Sequence, residues 1–210
     1  MDDMSFNNLS ALRYWGLSLR RCTITTPRRK QSLVDILCTS GSTDLLRGLC
    51  EPVYESRTVT AEFDPVGDVR ACVDRLLQEL EGQHVPIVLP NDYYHYMIGD
   101  VHINSAGAFR GDPITITAVC YPWRFLHQQT VINLPASTSA TACELRNSGT
   151  RAAVPEVVIS SDATITCNGT SKTYVAGTYL LPDLQIPGKS SIVIAITGGP
   201  VTIQYQEAIL

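Results

Sequence analysis

The sequence has no apolar run near the roughly 18 residues that a membrane-crossing helix needs; its longest candidate, Ser191 to Ile196, has only the length of a strand. Nor does it have a basic excess. Sixteen lysines and arginines face 20 aspartates and glutamates, for a formal net charge of −4, where a nucleic-acid-binding domain carries a positive surplus. No Cys-x-x-Cys pair occurs. The seven cysteines, Cys22, Cys38, Cys50, Cys72, Cys120, Cys143 and Cys167, are odd in number and widely spaced, so zinc and dithiol redox sites lose their usual support. They read as reduced thiols serving as small apolar side chains in a protein made in a cytosol. Met1 to Leu12 hold two aspartates and no long apolar stretch, so no signal peptide is expected.

Signatures of catalysis are missing as well. There is no Gly-x-Ser-x-Gly, no His-Glu-x-x-His and no P-loop, and His84 and His127 stand without a nucleophile partner. Asp92, His95, Asp100 and His102 are metal-ligating residue types. However, His95 and His102 are an odd number of residues apart, and strand alternation sends them to opposite faces. The reading is therefore a protein that is not an enzyme, with no cofactor and no metal.

What is present is an ordinary globular composition, 44% hydrophobic and 17% charged, enough to bury a core without disulfides. Trp15–Thr26 reads as a strand pair that Pro27-Arg28-Arg29-Lys30 interrupts. These basic residues and Arg20-Arg21 suit a solvated loop face or a protein contact. Arg57–Phe63 alternates, with Val59, Ala61 and Phe63 on one face. One amphipathic helix follows: Asp68 can cap it, Val69, Cys72, Val73, Leu76, Leu77 and Leu80 form its apolar stripe, and Gly82 stops it. Burying those six side chains is worth on the order of 10 kcal/mol before entropy. On that reading Leu77→Asp unfolds the first domain. Pro86–Leu89, Tyr93–Asn104 and Pro113–Tyr121 are further strands, with Tyr93, Tyr94 and Tyr96 at a core edge or an inter-subunit seam.

From about Gln128 Thr, Ser, Asn, Gly and Val dominate and no helical period survives. Val157–Ser160, Thr164–Cys167, Lys172–Val175, Ser191–Thr197 and Val201–Gln206 read as strands. Asn168-Gly169 marks a hairpin and explains the Asn-Gly-Thr glycosylation pattern better than a glycan does. Gly198-Gly199-Pro200 joins the last two strands. The expected fold class is mainly β with one amphipathic helix: a sheet-and-helix domain over 1–128 and a β-sandwich or jelly roll over 129–210.

Five segments carry a family likeness: Val34-Asp35-Ile36-Leu37-Cys38-Thr39-Ser40-Gly41-Ser42-Thr43-Asp44-Leu45, Tyr54-Glu55-Ser56-Arg57, Asn91 to Val101, Ile114 to Trp123, and Leu145-Arg146-Asn147-Ser148-Gly149-Thr150 through Pro155 to Ile159. In order and spacing they resemble the distal tail protein (Dit) family of long-tailed bacteriophages. The family's Pro-Gly-Arg is absent from the first segment, and Ser56 stands where Asn is commoner. The resemblance implies a ring-forming N-terminal domain that assembles a homo-hexamer, and a galectin-like C-terminal domain outside the ring. It implies a structural hub between the tail tube protein and a baseplate or tail-tip hub protein (a tail-associated lysin or fibre), with receptor-binding proteins as further partners. The central channel would pass the tape-measure protein and DNA. The location would be the phage tail tip in the virion, assembled in the host bacterial cytoplasm, with no membrane and no specific nucleic-acid binding. Motif matching puts the ring interface at Gly41, Asp44, Leu45, Tyr54 and Arg57, with Tyr93 and Tyr94, so that Arg57→Ala reduces ring formation and leaves the monomer folded. The alternatives are a host-glycan adhesin or carbohydrate-binding module, limited by having only Tyr174, Tyr179 and Tyr205 as aromatics after Thr130, and a tail-tube subunit, which normally lacks a second sandwich.

Overall fold

Alternating apolar residues dominate the structure as they do the sequence. The computed structural model describes residues 3–35, 42–44 and 52–210, and its strands pair antiparallel throughout the described residues. Contacts divide the chain into two units, Met1–Pro122 and Trp123–Leu210.

The first unit contains β1 (Ser5–Phe6), β2 (Leu9–Ser10), α1 (Ala11–Trp15), β3 (Leu17–Ile24), β4 (Leu33–Asp35), β5 (Ser42–Asp44), β6 (Arg57–Pro65), α2 (Val69–Glu79), β7 (His84–Val88), β8 (His95–Asn104) and β9 (Ile114–Cys120). Its main sheet runs β2-β1-β7-β8-β9-β6-β3, and β4 pairs with β5 apart from it. Asn7 and Asn8, both at positive φ (50° and 63°), make the tight turn from β1 to β2. The stretch expected as a strand pair from Trp15 is instead the end of a short helix followed by the single strand β3. Ser10 caps that helix by accepting from the Arg13 N–H at 2.9 Å, and Gly16 closes it at φ 69°. The two signals bracket only five residues, too few for an apolar period to be read.

Helix α2 carries the chain from β6 to β7, past β9 and β8, and covers one face of the sheet. The Asp68 carboxylate accepts from the Arg70 and Ala71 N–H groups at 2.9 and 3.3 Å, a cap worth about 1 kcal/mol. Cys72, Val73, Leu76 and Leu80 are buried and Val69 is half-buried, in one core with Val59, Ala61, Phe63, Ile87, Met97, Val101, Ile114 and Ile116. Leu77 departs from the stripe expected for it, being 43% exposed. At 100° per residue it sits about 80° from the stripe's centre, beyond what the sheet covers. The expectation that Leu77→Asp unfolds the domain is corrected accordingly. The Trp15 indole N–H donates to Glu79 at 3.1 Å, and Arg75 donates to the Tyr14 carbonyl at 2.9 Å, tying α1 to α2.

The second unit opens with β10 (Arg124–Leu126), which pairs with the last strand, β19 (Ala208–Ile209). Trp123 to His127 therefore pack with this unit, a few residues ahead of the change in composition at Gln128. Between these two strands lie β11 (Thr130–Leu134), β12 (Ser137–Asn147), β13 (Glu156–Ile159), β14 (Ala163–Cys167), β15 (Thr170–Tyr174), β16 (Gly177–Leu180), β17 (Ser190–Gly198) and β18 (Val201–Tyr205). They form two sheets, β11-β18-β13-β16 and β12-β17-β14-β15. With the eight strands counted from β11, the orders are first-eighth-third-sixth and second-seventh-fourth-fifth, which is a jelly roll. Consecutive strands change sheets at every connection except β14 to β15, where Asn168 (φ 49°) and Gly169 (φ 78°) form the expected hairpin turn. Gly198-Gly199-Pro200 accordingly crosses between sheets. A Cβ on Gly198 would lie 2.5 Å from the Asp162 carbonyl oxygen. Leu145, Val157, Ile159, Ile165, Ile194, Ile196, Val201, Ile203 and Tyr205 fill the space between the sheets.

The helix placement gives a paired test. Leu76→Ala should cost about 3 kcal/mol of stability, and Leu77→Ala less than about 1 kcal/mol, in chemical denaturation followed by circular dichroism. Equal losses would mean that α2 is rotated from the orientation described.

Candidate assembly surfaces

Among the described residues the first sheet is covered on one side only. Its other face is read from the strand register as rows: Thr23–Thr60–Thr117–His102, Arg21–Glu62–Thr115–Asn104 and Thr58–Val119–Asp100–His84. Residues directly opposite one another share a face, so hydroxyl, amide, imidazole and charged groups make up most of this surface. Three histidines of this unit each meet one carboxylate. His84 Nδ1 meets the Asp100 carboxylate at 2.6 Å, His95 meets Asp92 at 2.7 Å and His102 meets Glu81 at 3.3 Å. Glu81 also accepts the Ile103 N–H at 2.6 Å. His95 and His102 do not converge, and among the described residues no group of three or more His, Cys, Asp or Glu could hold a metal.

The residues expected at a ring interface divide into four groups. Gly41 and Leu45 lie outside the described residues, and of Asp44 only the backbone is described, paired with Leu33. Tyr54 is half-buried and bridges Arg29; the Lys30 N–H donates to the Val53 carbonyl and the Glu55 N–H to the Arg28 carbonyl, each at 2.8 Å. The basic run is thus tied to 53–55 rather than standing as a free loop. Tyr93 and Tyr94 are 65% and 77% exposed, in the turn between β7 and β8, and are available to a partner.

Arg57 is placed differently from Tyr93 and Tyr94. It opens β6 on the face that α2 covers, and at 6% exposed it is packed inside its own subunit. Alternation from Val59, Ala61 and Phe63 places it there. Its register partner is Cys120. Burial pushes the Cys120 thiol up to about 12, with the Arg57 guanidinium opposing the rise and Asp100 adding to it. The thiol stays protonated at neutral pH and is a packing group. Truncating Arg57 therefore disturbs the fold before it disturbs any assembly.

The Asn-x-Gly-Thr segment of the second unit has a structural role. Asn147, 1% exposed, donates through Nδ2 to the Arg151 and Ile186 carbonyls at 2.7 and 3.1 Å and accepts the Gly149 N–H at 2.9 Å. Gly149 lets Ala208 approach, since a Cβ there would fall 2.5 Å from its carbonyl oxygen. Thr150 donates its N–H to that oxygen at 2.8 Å and accepts the Leu210 N–H through its hydroxyl at 2.9 Å. Glu207 accepts from Ser148 and Thr130. The motif holds the final strand in place.

No family model matches the sequence, and no curated protein matches it significantly. The structure does have a solved counterpart. It superposes with a TM-score of 0.70 on the crystal structure of SPP1 Dit (gp 19.1), described as a paradigm of the hub adsorption apparatus in phages that infect Gram-positive bacteria; the match covers 100% of both chains at 13% sequence identity. The chain has the Dit fold. A de novo designed double-stranded β-helix also aligns, over 38% of this chain at 11% identity and a TM-score of 0.25, too low to inform the architecture. The Dit likeness takes in the sheet-and-helix unit and the jelly roll alike.

Two measurements check these placements. Iodoacetamide at mildly alkaline pH should leave Cys120 unlabelled in the native protein and label it after unfolding in urea; native labelling would contradict its burial. Asn147→Asp, nearly isosteric, points a carboxylate at two carbonyl oxygens and should cost about 3 kcal/mol or more, with thermal melting as the readout. A neutral result would remove Asn147 from this role.

Proposed function

We propose that this protein is the distal tail hub of a long-tailed bacteriophage, a structural virion component. Six copies close into a ring that joins the tail tube protein to the baseplate or tail-tip hub protein. The observation that carries the reading is the end-to-end likeness to a Dit hub: both units match, in the same order, over the full length of both chains.

The molecule's surfaces support it. A closed ring leaves no unpaired subunit face, and exposed Tyr93 and Tyr94 are the aromatic type that anchors protein interfaces. The uncovered sheet face suits the wall of a water-filled channel. Threonines make up much of the rows described above, and the charges there are of both signs. Among the described residues these rows form no basic stripe of the kind that retains nucleic acid, so a tape-measure protein and then DNA could pass with little electrostatic adhesion. Receptor-binding proteins would attach to the assembled hub, and assembly would take place in the host cytoplasm before incorporation at the tail tip.

Negative-stain imaging and native mass spectrometry of the purified protein, alone and with the tail tube subunit, test this. Six-fold annuli are expected. Tyr93→Ala combined with Tyr94→Ala should weaken assembly by on the order of 1–2 kcal/mol per interface while leaving the melting temperature unchanged. Persistent monomers in the presence of the tube subunit would contradict the hub.

A further inference from the structure

The jelly roll contains a cavity that its core does not fill. Strand β15 is the edge of its sheet, and its register with β14 places Thr170 opposite Cys167, Lys172 opposite Ile165 and Tyr174 opposite Ala163. Ile165 and Ala163 are buried between the sheets, so Thr170, Lys172 and Tyr174 point to the inner side as well. They line a cavity of about 230 Å³ together with Ile165, Cys167, Asn168, Asp183 and Leu184.

Its chemistry is specific. Ile165 and Leu184 supply an apolar floor and Tyr174 an aromatic wall. Tyr179 steadies that wall: the two rings lie 5.2 Å apart at 56°, and the Tyr179 hydroxyl donates to the Val175 carbonyl at 3.2 Å. Lys172 and Asp183 are hydrogen-bonded to each other and both side chains are more than half exposed, which puts a donor group and an acceptor group side by side in the cavity lining with no net charge. Tyr205, by contrast, is buried with its hydroxyl on the Arg146 carbonyl, so Tyr174 is the tyrosine that the fold leaves facing this space.

We propose that this cavity binds one ring of a neutral saccharide. A pyranose has an apolar C–H face that packs on an aromatic ring and an equatorial rim of hydroxyls that both donate and accept. Asp183 would accept from adjacent hydroxyls, and Lys172 and Asn168 would donate to their oxygens. Because Lys172 and Asp183 neutralise each other, an anionic ligand must displace Asp183 before it gains anything. The volume is below the roughly 300–1,000 Å³ of pockets for larger ligands, so one ring enters and the rest of a glycan chain would run outside. An inward-facing lysine on an edge strand also discourages edge-to-edge aggregation, but that role needs neither the steadied tyrosine nor the facing carboxylate. The proposal does not depend on ring assembly.

The test is a ¹H–¹⁵N titration of the full-length protein with glucose, galactose and N-acetylglucosamine, each separately, and with inorganic phosphate as the anionic control. At least one sugar should give saturable shifts confined to the amides of 165–174 and 183–184, and phosphate should not. Asp183→Asn, at an exposed position, should weaken that sugar about tenfold, and Tyr174→Leu should abolish binding while the remaining spectrum confirms the fold. Absence of saturable shifts with all three sugars, shifts located elsewhere, tighter binding of phosphate, or unchanged affinity in Asp183→Asn would each overturn the proposal and leave Lys172 as edge protection alone.

Discussion

A sheet has two faces, and the first unit has one long helix with which to cover them. The chain sends α2 from β6 past two intervening strands to β7, and most of the large apolar side chains on those strands collect beneath it. The alternation of Val59, Ala61 and Phe63, repeated in Ile114, Ile116 and Ala118, is what makes the sheet one-sided. The outward rows of threonine, histidine and carboxylate follow from the same period of two. A core built this way leaves a broad polar surface open to water at no cost in unsatisfied groups, because its backbone is already paired within the sheet.

The second unit solves a different problem. Its eight strands cross repeatedly between two sheets, so few of its pairings are local, and chain crossings must pass close to other backbone. Gly198 and Gly149 stand at such approaches. Asn147 ties the segment together there: it is a buried amide whose donors and acceptor are all engaged, on the Arg151 and Ile186 carbonyls and the Gly149 N–H. The segment resembling a family signature thus marks packing at the end of the chain rather than a ligand site.

The sequence made some of this legible. α2 showed through its stripe and its Asp68 cap, β6 and β9 through strict alternation, and the β14–β15 turn through Asn168-Gly169. The elements it concealed have identifiable causes. β12 is long, but Ser137 to Ala142 are all small serine, threonine and alanine residues, and inward alternation begins only at Thr141. β1, β2, β10 and β19 span two or three residues each, below the length at which any period can register. Leu77 lay within the helical stripe and outside the covered arc, a distinction that depends on the width of the opposing surface and not on the helix. The burial of Arg57 shows in the alternation of β6, where it shares a face with Val59, Ala61 and Phe63, and a four-residue motif carries no such facing information. The cavity beside Tyr174 requires knowing that β15 is an edge, and strand order is a property of the whole sheet that no local window contains.

Pairing of β10 with β19 brings the entrance and exit of the jelly roll side by side, Arg124 opposite Ile209 and Phe125 opposite Ala208. A module whose ends are adjacent behaves as a cassette: it can be spliced into a loop of an unrelated scaffold, or reopened at an exposed turn such as Asn168-Gly169 with its old ends joined, without stretching the host or the insert.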